Sequence, residues 1–151
     1  MHTPFYQYPM QPARLMQARP AGQLAGDHPT CELGRSVAQL LYLLLHTRPG
    51  QLRSAPDFGC AVWELEFSSN VDLAHWETTL TRSLLRAVQH YEPRLRDARV
   101  RVNLSATALP PGQAIDLPAR WYAQITITGE MTLTHEPFSY STQLHIGQLS
   151  A

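Results

Sequence analysis

Leu33, Val37, Leu40, Leu41 and Leu44 recur at the three- and four-residue steps of one helix face, which predicts a helix over 31–46. Thr30 is placed to cap its start, and Arg48, Pro49 and Gly50 stop it. Leu43 and Leu45 make the other side apolar as well, so this helix needs cover on more than one face. A second stripe, Leu73, Trp76, Leu80, Leu84, Ala87, Val88 and Tyr91, predicts a helix over 72–91 with Asn70 or Asp72 at its cap. Its outward face carries Glu77, Arg82, Arg86 and His90. Pro93 lacks an N–H and clashes with the preceding turn, so the helix ends at or just before Glu92.

Beyond Pro93 the period changes from 3.6 to 2. Ala98, Val100, Val102 and Leu104 alternate with Arg99, Arg101 and Asn103; Trp121, Ala123, Ile125 and Ile127 alternate with Tyr122, Gln124, Thr126 and Thr128. Phe138, Tyr140, Leu144 and Ile146 share one parity of a last strand. Met131 and Leu133 keep the parity of Ile127 across Gly129, which predicts one long strand over 119–134 with Gly129 as a bulge and a turn at His135, Glu136 and Pro137. A loop over 109–117, with Pro110, Pro111 and Gly112, joins the first two strands.

Helices first and a meander last predict an α+β fold: two main helices packed on one face of a three-stranded antiparallel sheet, with an extended N-terminal tail. The domain is expected over 30–151. The Pro-rich stretch 1–29, with Phe5, Tyr6 and Tyr8 and no period, is the tail, and it holds too little apolar area to order except against a partner. An open sheet leaves two edge strands that need protection or accept another chain.

The connection 51–70 contains Pro56, Asp57, Phe58, Gly59 and Cys60, then Trp63, Glu64, Leu65, Glu66 and Phe67. Alternation of Trp63, Leu65 and Phe67 with the two glutamates predicts a short strand or extended lid with its aromatic face inward. Pro56, Asp57, Phe58, Gly59 and Trp63 are accordingly candidates for an interface or for a structural plug at the end of the core.

Composition narrows the chemistry. At 151 residues and 44% hydrophobic, the chain can bury one sizeable core, and its zero formal charge supplies no global field toward nucleic acid or an anionic membrane. The local basic concentration, Arg82, Arg86, Arg94, Arg96, Arg99 and Arg101, has Glu92 and Asp97 mixed in and sits in a neutral domain, which favours a solvated face or a protein interface over nucleic acid. Cys31 and Cys60 fit neither a disulfide framework nor a zinc spacing, and seven scattered histidines form no metal motif. Glycine spacing matches no phosphate loop, and no cofactor is expected. The start of the chain lacks a signal-peptide pattern and the longest apolar run, 40–45, is far short of a span, so a cytoplasmic location without membrane insertion is expected. Cys60 after Phe58 and Gly59 has only a passing likeness to a nucleophile elbow. Glu64 and Glu66, with Asp57 as a third carboxylate, could approach the spacing of about 5 to 9.5 Å that glycoside hydrolysis requires, as any two residues at i and i+2 of a strand do. A peptidoglycan hydrolase is therefore the alternative function.

The order of these motifs resembles a known family. Arg48, Pro49, Gly50 after a leucine-rich helix, then Pro56, Asp57, Phe58, Gly59, then 63–67, an amphipathic helix, and Glu92, Pro93, Arg94 before the sheet are similar to the wedge protein of contractile-tail baseplates, whose form in type VI secretion systems is TssE. The resemblance covers about 31–146. It implies a non-enzymatic adaptor in a large hetero-oligomeric baseplate that can dock at the inner membrane, although phage members have also carried a lysozyme label. Glu92, Pro93 and Arg94 would dock on the helical core bundle of the larger wedge subunits (TssF-like and TssG-like), and an open sheet edge would start assembly of the sheath subunit. On this reading the helix-to-strand junction is a rigid corner that aims Glu92 and Arg94 at a partner.

Overall fold

The structure is a computed structural model and describes residues 5–6, 30–65, 73–106 and 121–146. Its element order is β1 (Phe5–Tyr6), β2 (Thr30–Cys31), α1 (Leu33–His46), α2 (Val62–Leu65), α3 (Leu73–Tyr91), β3 (Leu95–Ala106), β4 (Trp121–Met131) and β5 (Pro137–Ile146). β3, β4 and β5 form an antiparallel meander in that order, and the expected α+β architecture is what the chain adopts.

Helix periodicity and burial agree closely except at Leu73, which is exposed at the start of α3. In α1, Leu33, Val37, Leu41, Leu44 and Leu45 are buried; in α3, Trp76, Leu80, Leu84 and Val88 are. They meet Val100 and Val102 of β3, Ala123, Ile125 and Ile127 of β4, and Phe138, Leu144 and Ile146 of β5 in one core. Those strand residues lie across from one another, Val102 opposite Ile125, Val100 opposite Ile127 and Ala123 opposite Leu144, so the alternating pattern has turned one sheet face to the helices.

Several local expectations are corrected. Thr30 does not cap α1: it pairs with Tyr6, and Glu32 is the cap residue, without a side-chain cap bond. Backbone pairing holds 30–31 extended, and the helix begins only at Leu33. Where a short strand or extended lid was expected near Trp63, Val62–Leu65 make a single helical turn; among the described residues no strand pairs with it, and the Trp63 indole N–H donates to the Leu45 carbonyl at 3.0 Å. Glu66 and Phe67 fall outside the described residues, as does the 109–117 loop.

The bulge is also on the other strand. Gly129 pairs in register with Phe138, and the one extra residue sits in β3, where Asp97 and Ala98 stand opposite Gly129 between Arg96 and Arg99, with Asp97 at φ 52°. A Cβ on Gly129 would stand 2.8 Å from the Arg96 carbonyl oxygen and 2.8 Å from Leu95 Cγ, so glycine is what lets the bulged strand fold across it. β4 stops at Met131. Its turn comes earlier than expected, closed by His135 N–H donating to the Met131 carbonyl and Met131 N–H to the Glu136 carbonyl, each at 2.9 Å; Leu133 points to solvent and Pro137 already belongs to β5.

The two outer edges of the sheet differ. Glu77 of α3 reaches the β3 edge, its carboxylate accepting from the Leu104 N–H at 2.8 Å. Among the described residues no segment pairs with the outer edge of β5.

Candidate functional site: the corner between helix and sheet

Glu92 follows the last turn of α3, where its N–H donates to the Val88 carbonyl at 2.8 Å. Pro93 ends the helix, and β3 begins two residues later at Leu95, whose N–H donates to the Glu92 carbonyl at 3.1 Å. This tight reversal turns the Glu92 side chain inward. It is the one buried charged residue among those described, with 0% exposure.

Its partner is Arg94. Nε donates to Glu92 Oε1 at 2.7 Å and Nη2 to Oε2 at 2.6 Å, a two-pronged pairing, while the Arg94 backbone N–H adds a third donor to Oε1 at 3.2 Å. Nη1 donates to Ser36 Oγ in α1 at 3.0 Å, and the ring of Phe5 lies 5.5 Å from the guanidinium carbon. The Arg94 carbonyl accepts from Thr132 N–H at 2.8 Å. So the corner does not aim both charges outward. Glu92 is consumed within the fold, and what faces solvent is Pro93 and part of the Arg94 side chain, 26% exposed.

The loop 56–60 is brought to the same place by Tyr91, the residue before Glu92. Tyr91 donates its hydroxyl to Asp57 Oδ1 at 2.6 Å, and the Phe58 ring meets the Tyr91 ring edge-on at 4.9 Å. Phe58 and Cys60 are buried, and Cys60 N–H donates to the Thr47 carbonyl at 2.9 Å. Gly50 N–H closes the loop onto the Pro56 carbonyl at 2.6 Å. Gly59, at φ 139°, passes so close to the end of α1 that a Cβ there would stand 2.6 Å from the Thr47 carbonyl oxygen. Trp63 packs beside this loop with Arg48 over its ring at 5.9 Å. Two motifs named separately from sequence are thus one unit, buttressed from behind by α1.

The Tyr91–Asp57 bond shifts both groups. The Tyr91 hydroxyl holds the Asp57 carboxyl below its ordinary range, and the carboxylate in turn pushes the Tyr91 phenol up to about 12. The depressed Asp57 contributes stability present above its unfolded value near 3.8 and lost as pH falls through the folded one; the raised Tyr91 contributes stability that is full below 10 and lost as pH rises through about 12. Ultraviolet difference titration, with Tyr91→Phe as the subtraction, should place the Tyr91 phenolate near 12, and Asp57→Asn should return it toward 10. A Tyr91 step unchanged by Asp57→Asn would contradict the bond.

These carboxylates do not suit acid catalysis. Asp57 is lowered, as is Glu130, which His135 holds at 3.0 Å and Arg96 also contacts, whereas a glycosidase acid must be raised. Glu64 is exposed on the single turn of α2. Burial pushes the Cys60 thiol up to about 12, which leaves no thiolate for nucleophilic attack near neutrality. Among the described residues no group of three or more His, Cys, Asp and Glu could hold a metal ion, and no helix is long and apolar enough to cross a membrane.

Sequence reasoning named the corner and the loop but missed Ser36, and it gave Phe5 to a tail that would order only against a partner, whereas Phe5 pairs with Cys31 and lies over Arg94 of its own chain. Ser36 carries no local signal: it sits 58 positions from Arg94, on a helix read for its apolar face.

Residues 31–135 match the family described as baseplate wedge protein gp25. The chain belongs to that family. Among solved structures it is similar to a Geobacter sulfurreducens protein named as a candidate tail lysozyme, at 21% identity and TM-score 0.49, covering 77% of this chain and 93% of that one. It is also similar to a chain of the baseplate complex from the type VI secretion system, at 20% identity and TM-score 0.47, covering 74% and 91%. No curated protein matches it. The match to the wedge family spans the corner, the loop and both long helices of this wedge-family chain.

Proposed function

We propose that this wedge-family chain is a structural adaptor in the baseplate of a contractile injection machine of the type VI secretion kind. It docks on the core bundle of TssF-like and TssG-like wedge subunits through the corner at Glu92, Pro93 and Arg94, and it starts sheath assembly by accepting a sheath strand at an open edge of its sheet. The chain works in the cytoplasm, within a large hetero-oligomer, and catalyses nothing.

The observation that carries this reading is the corner itself. A neutral, two-pronged ion pair locked between α1 and the sheet gives no reaction chemistry, but it fixes Pro93 and the outer part of Arg94 in one orientation, as a docking point requires. The β5 edge supports the second half. β3 is obstructed by Glu77 at Leu104, so a sheath strand adds more readily along β5, through backbone hydrogen bonds.

The test is co-purification of the wedge subunits from cells. Removing Arg94 alone would strand a buried carboxylate, so the informative variant replaces the pair together, Glu92→Met/Arg94→Met, which keeps volume and leaves no uncompensated charge. Circular dichroism should show this variant folded, and the wedge subunits should no longer follow it through purification. A folded double variant that still retains them would refute docking through the corner.

A further inference from the structure

The outer edge of β5, with which no described segment pairs, lacks the features that usually keep an edge strand from accepting another. β5 runs in unbroken register with β4, from Pro137 opposite Glu130 to Ile146 opposite Trp121. Between Phe138 and Ile146 only His145 can carry a charge, and Pro137 stands at the first position, where it interrupts nothing. β3 is the contrast. It is bulged between Arg96 and Arg99, carries Arg96, Arg99 and Arg101, and meets the Glu77 carboxylate at Leu104.

The helix-side face next to the β5 edge is aromatic and half in water. Phe138, Leu144 and Ile146 are buried, but Tyr140 and Thr142, of the same parity and opposite buried Ile127 and Ile125, are only half-buried. α1 brings Tyr42 to the same place, 51% exposed and stacked on His46 with ring centroids 4.0 Å apart. Burial holds the Tyr140 phenol above its ordinary value, and the neighbouring Tyr42 phenol adds to the shift. Two tyrosines, one from the helix and one from the edge strand, therefore stand together where a further strand would lay its own side chains. On the opposite face Ser139, Ser141, Gln143 and His145 are exposed, with Ser141 Oγ accepting from Gln124 Nε2 at 2.8 Å.

We infer that Tyr42 and Tyr140 seat a large apolar side chain of the strand added at β5, so that the sheath segment accepted there alternates, apolar toward α1 and uncharged polar toward the face of Ser139, Ser141 and Gln143. This rests on the strand-addition reading above and adds the pattern that the strand must carry. Adjacent residues of paired strands share a face, so the residue beside Tyr140 points toward Tyr42 whichever way the strand runs. A carboxylate there would lose its water against two rings, and an alanine would leave both rings wet; an aromatic or branched aliphatic side chain covers them. Backbone bonds along the edge accept almost any sequence, and the two tyrosines supply the selection.

The test uses the full chain and the purified cognate sheath subunit. On mixing, hydrogen exchange should slow at residues 139–145, the mark of strand addition. In titrations against the same subunit, Tyr42→Ala should bind on the order of 10-fold more weakly, whereas Tyr42→Leu, which keeps apolar bulk, should stay within about 3-fold of the natural chain. Both variants should keep the circular dichroism of the natural chain, because half of the Tyr42 side chain is already in water. Slowed exchange together with undiminished binding by Tyr42→Ala overturns the seat and leaves strand addition standing. Tyr42→Leu as weak as Tyr42→Ala would mean a cation stacked on the ring and would overturn the apolar pattern. Unchanged exchange along β5 removes the strand-addition reading and this proposal together. A natural chain that dimerises with β5 protected, and that Tyr42→Ala makes monomeric, would put a second copy at the edge and overturn the proposal as well.

Discussion

Arg94→Ala should destabilise the folded domain by about 3 kcal/mol, the low end of what breaking a buried ion pair costs, because part of the arginine is exposed while Glu92 is not. The loss comes less from the attraction removed than from the carboxylate left behind. In the natural chain the two oxygens of Glu92 receive Nε, Nη2 and the Arg94 backbone N–H; after truncation only the backbone donor remains, 3.2 Å away. Glu92→Met/Arg94→Met removes both charges at nearly constant volume and should recover most of that loss, since replacing a buried pair by apolar groups is often close to neutral. Urea unfolding of Glu92→Met, Arg94→Met and the double variant gives the coupling of the pair, with Arg94→Ala measured beside them. If Arg94→Ala cost less than about 0.5 kcal/mol, the pair would be behaving as a surface bridge and the burial of Glu92 would be wrong.

The second large effect belongs to Gly59. Substituting alanine should cost about 3 kcal/mol, combining a backbone conformation that side chains avoid with overpacking against atoms that cannot swing away. The would-be Cβ meets the Thr47 carbonyl oxygen, the Arg48 carbonyl carbon and the Pro49 nitrogen, all backbone. Gly50 is the control. It also has positive φ, 81°, but nothing stands within 4 Å of its would-be Cβ, so Gly50→Ala should lose only about 1 kcal/mol from the left-handed backbone. Differential scanning calorimetry of the two variants separates close approach from conformational strain. Equal melting temperatures would mean that the loop does not touch the end of α1. Because the same loop carries Asp57 to Tyr91, Gly59→Ala should also move the Tyr91 titration downward, which Gly50→Ala should not.

How much of this was legible in the chain depended on the range of the forces involved. The stripes of α1 and α3 are periodic, and a periodic stripe is buried wherever it forms, so Val37, Leu41, Trp76, Leu80, Leu84 and Val88 could be assigned to the core without knowing the fold. Parity did the same for Val100, Val102, Ile125, Ile127 and Leu144. Alternation at Trp63 misled because it is a necessary sign of a strand and not a sufficient one: a strand needs a neighbour, and Trp63 found the carbonyl of Leu45 instead. The bulge was sensed at the correct height of the sheet and given to the wrong strand, since a glycine that makes room for a bulge and one that forms it look alike in sequence. At the corner, Pro93 announced the helix stop locally. Whether Glu92 turned inward depended on Arg94, Ser36 and the bulk of the core around it, and no window of neighbouring residues contains that information.

The bond from Thr132 N–H to the Arg94 carbonyl has a mechanical meaning. It fastens the start of β3 to the hairpin between β4 and β5 through main-chain atoms, with no side chain in the path. A pull on β5 is thereby passed to the end of α3 through a stiff joint whose strength does not depend on which residues line the hairpin. Exposed Leu133 could be replaced freely there without softening the route by which load travels across the domain.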